Sequence, residues 1–172
     1  MKSKIFVCFI LAGTLLSAKL YSQDMAPPKP LDNKVYEAMT GNWSGDSQMM
    51  GMMMHQEVKT YWAMNHQYII MELVSTAKDN PAIKYTGTGV YGVDASGNAK
   101  VWWFDDWGAT AMSTGSGTFT DNTLTVTDGN DMFKETRIFN VKGSQIVMSA
   151  KGSMKLNGAD MPFEETTTFT KK

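Results

Sequence analysis

From Asn42 onward the chain is a succession of short runs rich in Thr, Val, Tyr, Trp and Phe, in which apolar and polar positions tend to alternate. Turn-forming clusters interrupt them at Asn65-His66, Asp79-Asn80-Pro81, Ser96-Gly97-Asn98, Asp121-Asn122, Asp128-Gly129-Asn130, Lys142-Gly143 and Asn157-Gly158. The breaks predict about ten strands, near 42–49, 53–63, 67–77, 82–93, 99–105, 109–119, 123–127, 132–141, 145–151 and 161–170. One short helix precedes them. Asp32 or Asn33 can cap it, Glu37 is placed to reach back to that cap, and it runs to about Met39 before Gly41 ends it.

Successive strands joined by hairpin-length turns, with no crossover helix, predict an all-β, up-and-down antiparallel meander. Closing it into a barrel removes its unpaired edges, and a barrel of eight to ten strands leaves room inside for side chains or one small ligand. Alternation then sorts the faces. Phe133, Glu135, Arg137, Phe139 and Val141 share one face, as do Phe163, Glu165 and Phe169. The apolar members should point inward, and they carry the charged ones with them. Val58 with Trp62, Ile83 with Tyr85, Leu124 with Val126 and Ile146 with Met148 mark further inward positions. Val101 to Asp105 resists assignment, because Trp102 and Phe104 alternate with Val101 and Trp103, so both faces are apolar.

Residues 1–22 fall outside this pattern. Lys2 and Lys4, the apolar run Ile5–Leu16 and the small-residue exit Ser17–Ser22 predict a secretory signal peptide, and twelve apolar residues are too few to span a bilayer. Leu11-Ala12-Gly13 is followed by Thr14, not by the Cys that a lipid anchor requires. A periplasmic or secreted protein without a transmembrane segment is therefore expected. Pro27, Pro28 and Pro30 make 23–33 an extended linker, and 34–172 is left as a single barrel domain. Removal of residues 1–22 takes Lys2, Lys4 and Lys19 from a chain of 16 Lys+Arg and 17 Asp+Glu, leaving 13 against 17. It also removes Cys8, the one cysteine, so no disulfide is expected. With Arg137 as the single arginine and no basic stripe, nucleic acid is not an expected partner.

Three motifs in order carry a resemblance: Gly41-Asn42-Trp43-Ser44-Gly45, then Gly89-Val90-Tyr91-Gly92-Val93-Asp94, then Trp103-Phe104-Asp105-Asp106-Trp107-Gly108 followed by Gly115 and Gly117. Together they resemble the domains of unknown function numbered 1579, bacterial proteins with a lipocalin-like barrel. The resemblance spans most of 35–170 and implies the barrel and an internal cavity, but no activity. The first motif is also similar to the haem-binding nitrobindins, which use a histidine near the C-terminus. Here the histidines are His55 and His66, so that ligand is missing and no cofactor is expected.

The candidate chemistry is one of binding. Two His in the first half, no Cys after processing and the adjacent Asp105-Asp106, whose side chains diverge on a strand end, do not suggest catalysis. Arg137 is either an anchor for a ligand carboxylate or part of an internal ion network with Glu135 and Glu165. Two carboxylates that already occupy the guanidinium favour the network. Met49-Met50-Gly51-Met52-Met53-Met54-His55 is a possible Cu(I) site, a ligand portal or simply barrel filling by Met52 and Met54. Trp43 is expected to plug a closed end, and Trp107 to sit exposed in a turn. The function expected is retention of a small hydrophobic molecule inside the barrel, lined by Arg137, Glu135, Glu165, Trp62, Tyr85, Trp103, Met52 and Met54. A filled-core structural or partner-binding barrel is the alternative, with Cu(I) binding behind it.

Overall fold

The computed structural model describes residues 28–49, 51–156 and 158–172; the predicted signal peptide, the first part of the linker and Met50 lie outside the described residues. Helix α1 (Lys34–Met39) is followed by β1 (Gly41–Met49), β2 (Met52–Ala63), β3 (Tyr68–Ala77), β4 (Lys84–Val93) and β5 (Ala99–Asp105). Next come β6 (Ser113–Thr120), β7 (Thr123–Gly129), β8 (Phe133–Lys142), β9 (Gln145–Leu156) and β10 (Ala159–Lys171). Each strand pairs antiparallel with its successor, and β1 meets β10 through Trp43 opposite Lys171 and Ser44 opposite Thr170. The expected ten-stranded closed barrel with one short helix is the fold observed.

Strand limits differ where turns compete with pairing. β6 starts at Ser113 instead of near 109, because bonds from Gly108 N to Asp105 O (3.1 Å) and from Ala111 N to Gly108 O (3.0 Å) hold 106–112 as a turn. β9 and β10 run further than predicted, to Leu156 and from Ala159. β4 begins at Lys84, so Ile83 belongs to the preceding turn and is exposed, not inward as its spacing from Tyr85 suggested.

A meander places its turns alternately at two ends, and α1 seals one of them. Asn33 Oδ1 accepts from Val35 N (3.1 Å) and Tyr36 N (3.0 Å), satisfying two donors that the short helix leaves open. Val35, Tyr36 and Met39 then face the barrel and are buried. The Tyr36 hydroxyl donates to Gly92 O (3.0 Å), its ring meets Phe119 edge-on at 5.1 Å, and Trp43 Nε1 donates to Met39 O (2.9 Å). Trp43 is the predicted plug, 1% exposed. Two helix details differ. Glu37 does not reach back to the cap; its Oε2 accepts from Trp62 Nε1 (2.7 Å). Thr40, not Gly41, ends the helix, and Gly41 opens β1 at φ 133°.

Above this plug the predicted faces hold: Val58, Leu124, Val126, Phe139, Ile146 and Phe169 are all buried. In β5, Val101 and Trp103 turn inward while Trp102 and Phe104 lie on the outer wall. Both faces are apolar because the outer wall has its own aromatic contact, with Tyr68 meeting Trp102 edge-on at 6.3 Å. Among the described residues no helix is long and apolar enough to cross a membrane.

Candidate functional site at the open end

The opposite end, where the turns β1–β2, β3–β4, β5–β6, β7–β8 and β9–β10 converge, has no helix over it among the described residues. Just inside lies the polar interior. Arg137, on β8 between Val126 and Ala150 in register, is 7% exposed. Its Nη2 donates to Asp128 Oδ1 at 2.7 Å. Its Nε lies 2.9 Å from Glu135 Oε1 but is too poorly aligned for a hydrogen bond, so that contact is ionic only. Asp128 Oδ2 accepts from Ser113 Oγ at 2.7 Å.

The guanidinium face is occupied too, with Cζ 4.7 Å from the Trp103 ring. Trp103 can lie there because the neighbouring strand β4 is bare beside it: a Cβ on Gly87 would sit 2.3 Å from the indole. Trp103 Nε1 donates to the Tyr85 hydroxyl (2.9 Å), which donates to Asp105 Oδ2 (3.2 Å). A second cluster stands on the other side. Glu165 Oε1 accepts from Gln56 Nε2 (2.7 Å) and Thr167 Oγ1 (3.1 Å), and Gln56 Nε2 also donates to Ser47 Oγ (3.0 Å). Ser75, opposite Gln56 in register, is buried with its hydroxyl unpartnered.

Arg137 thus faces the carboxyl groups of Asp128 and Glu135, with Glu165 close enough to act on Glu135. Burial pushes Glu135 up to about 7; Arg137 opposes this, while Asp128 and Glu165 add to it. Near neutral pH the interior therefore holds a proton that an exposed glutamate would release. Burial works against the charge on Arg137, but Tyr91, Glu135 and Asp128 together outweigh it and the guanidinium holds its proton more firmly than usual. Burial also raises Tyr85 well above the ordinary phenol range.

The rim around this interior is apolar. Met52 and Met53 stand at the first turn, Ile83 at the second, Trp107 and Met112 at the third, Met132 at the fourth and Met161 at the fifth, all exposed. Among the described residues only Met64 is exposed in this way at the helix end, and Phe104 and Ile138 lie on the outer wall. Beneath the rim Leu73, Tyr85, Phe133, Phe163 and Glu165 point inward yet stay half-buried, and Phe133 stacks on Phe163 at 5.6 Å.

Of the eight expected lining residues, Arg137, Glu135, Glu165, Tyr85, Trp103 and Met54 come to this half of the barrel. Met52 shares the parity of Met54 but lies past the point where the barrel is covered, so it is exposed and does not fill the interior. Trp62 belongs to the other end, bonded to Glu37 and stacked on His66 at 4.8 Å. The ion network also has a different membership, since Arg137 bonds Asp128 where Glu165 was expected. Asp128 was hidden in a turn-like Asp-Gly-Asn, although it continues the inward parity of Leu124 and Val126. Gln56, between Met54 and Val58 on one face, was legible by the same rule. Asp105 and Asp106 do diverge: Asp105 Oδ1 accepts from Trp107 N (3.0 Å), and Asp106 Oδ2 accepts from Thr86 N (2.9 Å). The Met-rich segment splits as well, with Met54 inward and His55 outward, its Nδ1 2.8 Å from Asp46 Oδ1.

Two broad depressions, of about 470 and 270 Å³, are lined by residues of the β5–β8 wall, among them Lys100, Ser116, Thr118 and Thr127. Comparison with protein-family models and with curated proteins finds no match.

Proposed function

We propose that this chain is an exported binding protein, not an enzyme, and that it holds one small, largely apolar molecule in the half of its barrel nearest the open end. The observation that carries this reading is the set of inward side chains, Tyr85, Phe133, Phe163 and Leu73, left half-buried beneath an apolar rim while the other end is closed. Export rests on residues 1–22 and periplasmic or secreted placement follows from it. The polar end of the ligand would meet Glu165 and the Tyr85 hydroxyl, because Asp128, Glu135 and Trp103 already surround Arg137. A neutral or hydrogen-bond-donating head therefore suits the site better than a carboxylate, which would have to displace partners the guanidinium has.

Calorimetric titration of the purified chain with a medium-chain alcohol and with the carboxylic acid of equal length tests this. The alcohol is expected to bind at least about tenfold more tightly, a difference of about 1.4 kcal/mol. Tighter binding of the acid, abolished by Arg137→Met, would return the arginine to the role of anchor. The filled-core, partner-binding alternative is favoured by the outer-wall position of both broad depressions. Binding of neither probe decides for it.

A further inference from the structure

The rim residues lie in or next to five separate turns, yet all of these leave the barrel at the same end. Single exposed apolar side chains are ordinary on any protein; seven of the ten large ones among the described residues, grouped at one end, are not. The side chains are also of a particular kind. Trp107 is 65% exposed, beside Gly108 at φ 90°, and Met132 is 50% exposed. An indole with an apolar body and a polar N–H is suited to the boundary between lipid head groups and acyl chains, and unbranched Met adapts to an irregular surface.

Charge at this end is mixed. Lys78, Lys84, Lys134 and Lys155 stand among Asp46, Asp79, Asp106, Asp131 and Asp160, all exposed, and Lys78 Nζ donates to Asp46 Oδ2 (2.7 Å). A ring that interleaves both signs in nearly equal number complements a zwitterionic head-group layer, where each lipid presents one charge of each sign. It gives no reason to prefer an anionic surface, which selects clustered Lys and Arg.

The geometry points to a lipid-docking surface: we infer that the open end of the barrel rests on a zwitterionic membrane interface, with Trp107, Met132, Met112 and Ile83 inserted among the head groups. A rigid protein partner would need a separate pocket for each turn tip. A fluid interface accommodates all five turns at once. The inference stands on the rim alone and holds whether or not the barrel carries a ligand.

The test uses the purified full chain and vesicles of phosphatidylcholine, with binding read by co-sedimentation. Trp107 is followed separately, as the difference in quenching by bromine-labelled lipid between the parent and Trp107→Phe. Binding is expected that changes little when anionic lipid or salt is added, with clear quenching of Trp107. The pair Trp107→Ser and Met132→Ser is expected to weaken it by about tenfold or more. Both positions are exposed, so the fold should persist; Met132→Asp alone provides a second variant whose folding is checked by its near-ultraviolet dichroism. Since the variants keep the same N-terminus, any binding by residues 1–22 is common to all. No binding, or binding indifferent to the rim changes, overturns the inference. So does binding that requires anionic lipid, and so does rim-dependent dimerisation without vesicles, which would assign the surface to a second copy of the chain.

Discussion

The two ends of the barrel are built from the same hairpins and finished by opposite means. At the helix end Tyr36, Met39 and Trp43 are buried almost completely, and the polar atoms of Tyr36 and Trp43 are bonded to backbone carbonyls. At the open end the apolar side chains stay at the rim, and the space beneath them holds Arg137, Asp128, Glu135 and Glu165. The helix end is organised as a folding core is, by burial of uncharged side chains, with one buried hydroxyl, Thr60 Oγ1, left without a partner. The open end keeps charged groups where they cost stability, with Ser75 Oγ and Arg137 Nε buried and unbonded. A barrel needing only to fold could have filled both ends in the first way, and this difference is why the proposed function is assigned to the second.

The strongest challenge to this contrast is Arg137→Met. If the cluster is as dry as the 9% and 1% side-chain exposures of Arg137 and Asp128 indicate, the change strands the Asp128 carboxylate without its cation, while Glu135, no longer held down by Arg137, keeps its proton. Chemical denaturation near pH 7 should then show a loss of about 3–5 kcal/mol. The loss should shrink at low pH as Asp128 takes up a proton, and Arg137→Met combined with Asp128→Asn and Glu135→Gln should recover most of it. A loss below about 1 kcal/mol, in the range of solvated surface pairs, would mean that water reaches the cluster freely and that the open end is not a buried site.

How much of this contrast the sequence carried depends on which end is considered. Turn spacing and alternation were enough for the ten-stranded barrel, the helix capped at Asn33 and the plug at Trp43, because these rest on local periodicity and on the short reach of a capping side chain. Parity alone put Arg137, Glu135 and Glu165 inside. It could not show which of them meet, since inward residues on β7, β8 and β10 become neighbours only through barrel closure and stagger. Asp128 therefore went unread in its turn-like setting and Glu165 was given its place. Parity also has no information about depth, which is why Met52 and Trp62 share a strand face with Met54 and Val58 yet lie at opposite ends. The rim was only partly visible: Trp107 stood out beside Gly108, while Ile83, Met112, Met132 and Met161 are far apart in the chain and only topology collects them.

Glu135 makes the same contrast measurable through pH, with a smaller effect. In the folded chain it keeps its proton up to about pH 7; in the unfolded chain an ordinary glutamate releases it near pH 4.3. Below pH 4 the group is protonated in both states and contributes nothing. Between pH 4 and 7 the unfolded chain gives up a proton that the folded chain retains, so stability falls as pH rises, and above pH 7 the full cost is present, on the order of 3 kcal/mol. Glu135→Gln should therefore match the parent near pH 4 and exceed it at pH 8. Asp46, held below its usual range by its bonds to Lys78 and His55, weakens both proteins alike in acid and cancels in the comparison. A gap between the two proteins that does not vary with pH would sink the assignment of a buried, proton-holding glutamate.

The smallest expected effect sits at the helix end. Helix α1 has six residues, too few to persist alone in water, so it is held by what it buries and by its cap. Asn33→Ala removes the acceptor for Val35 N and Tyr36 N and should cost about 1 kcal/mol; Asn33→Gly, which leaves those donors open to water, only a few tenths. Because the cap orients Tyr36, and Trp43 Nε1 bonds Met39 O, exchange of the Trp43 indole proton should quicken in Asn33→Ala. Ligand and vesicle binding at the far end should stay as they were. If the Ala variant instead lost binding while its global stability held, the helix would be communicating with the open end through the barrel, and the division between a folding end and a working end would have to be given up.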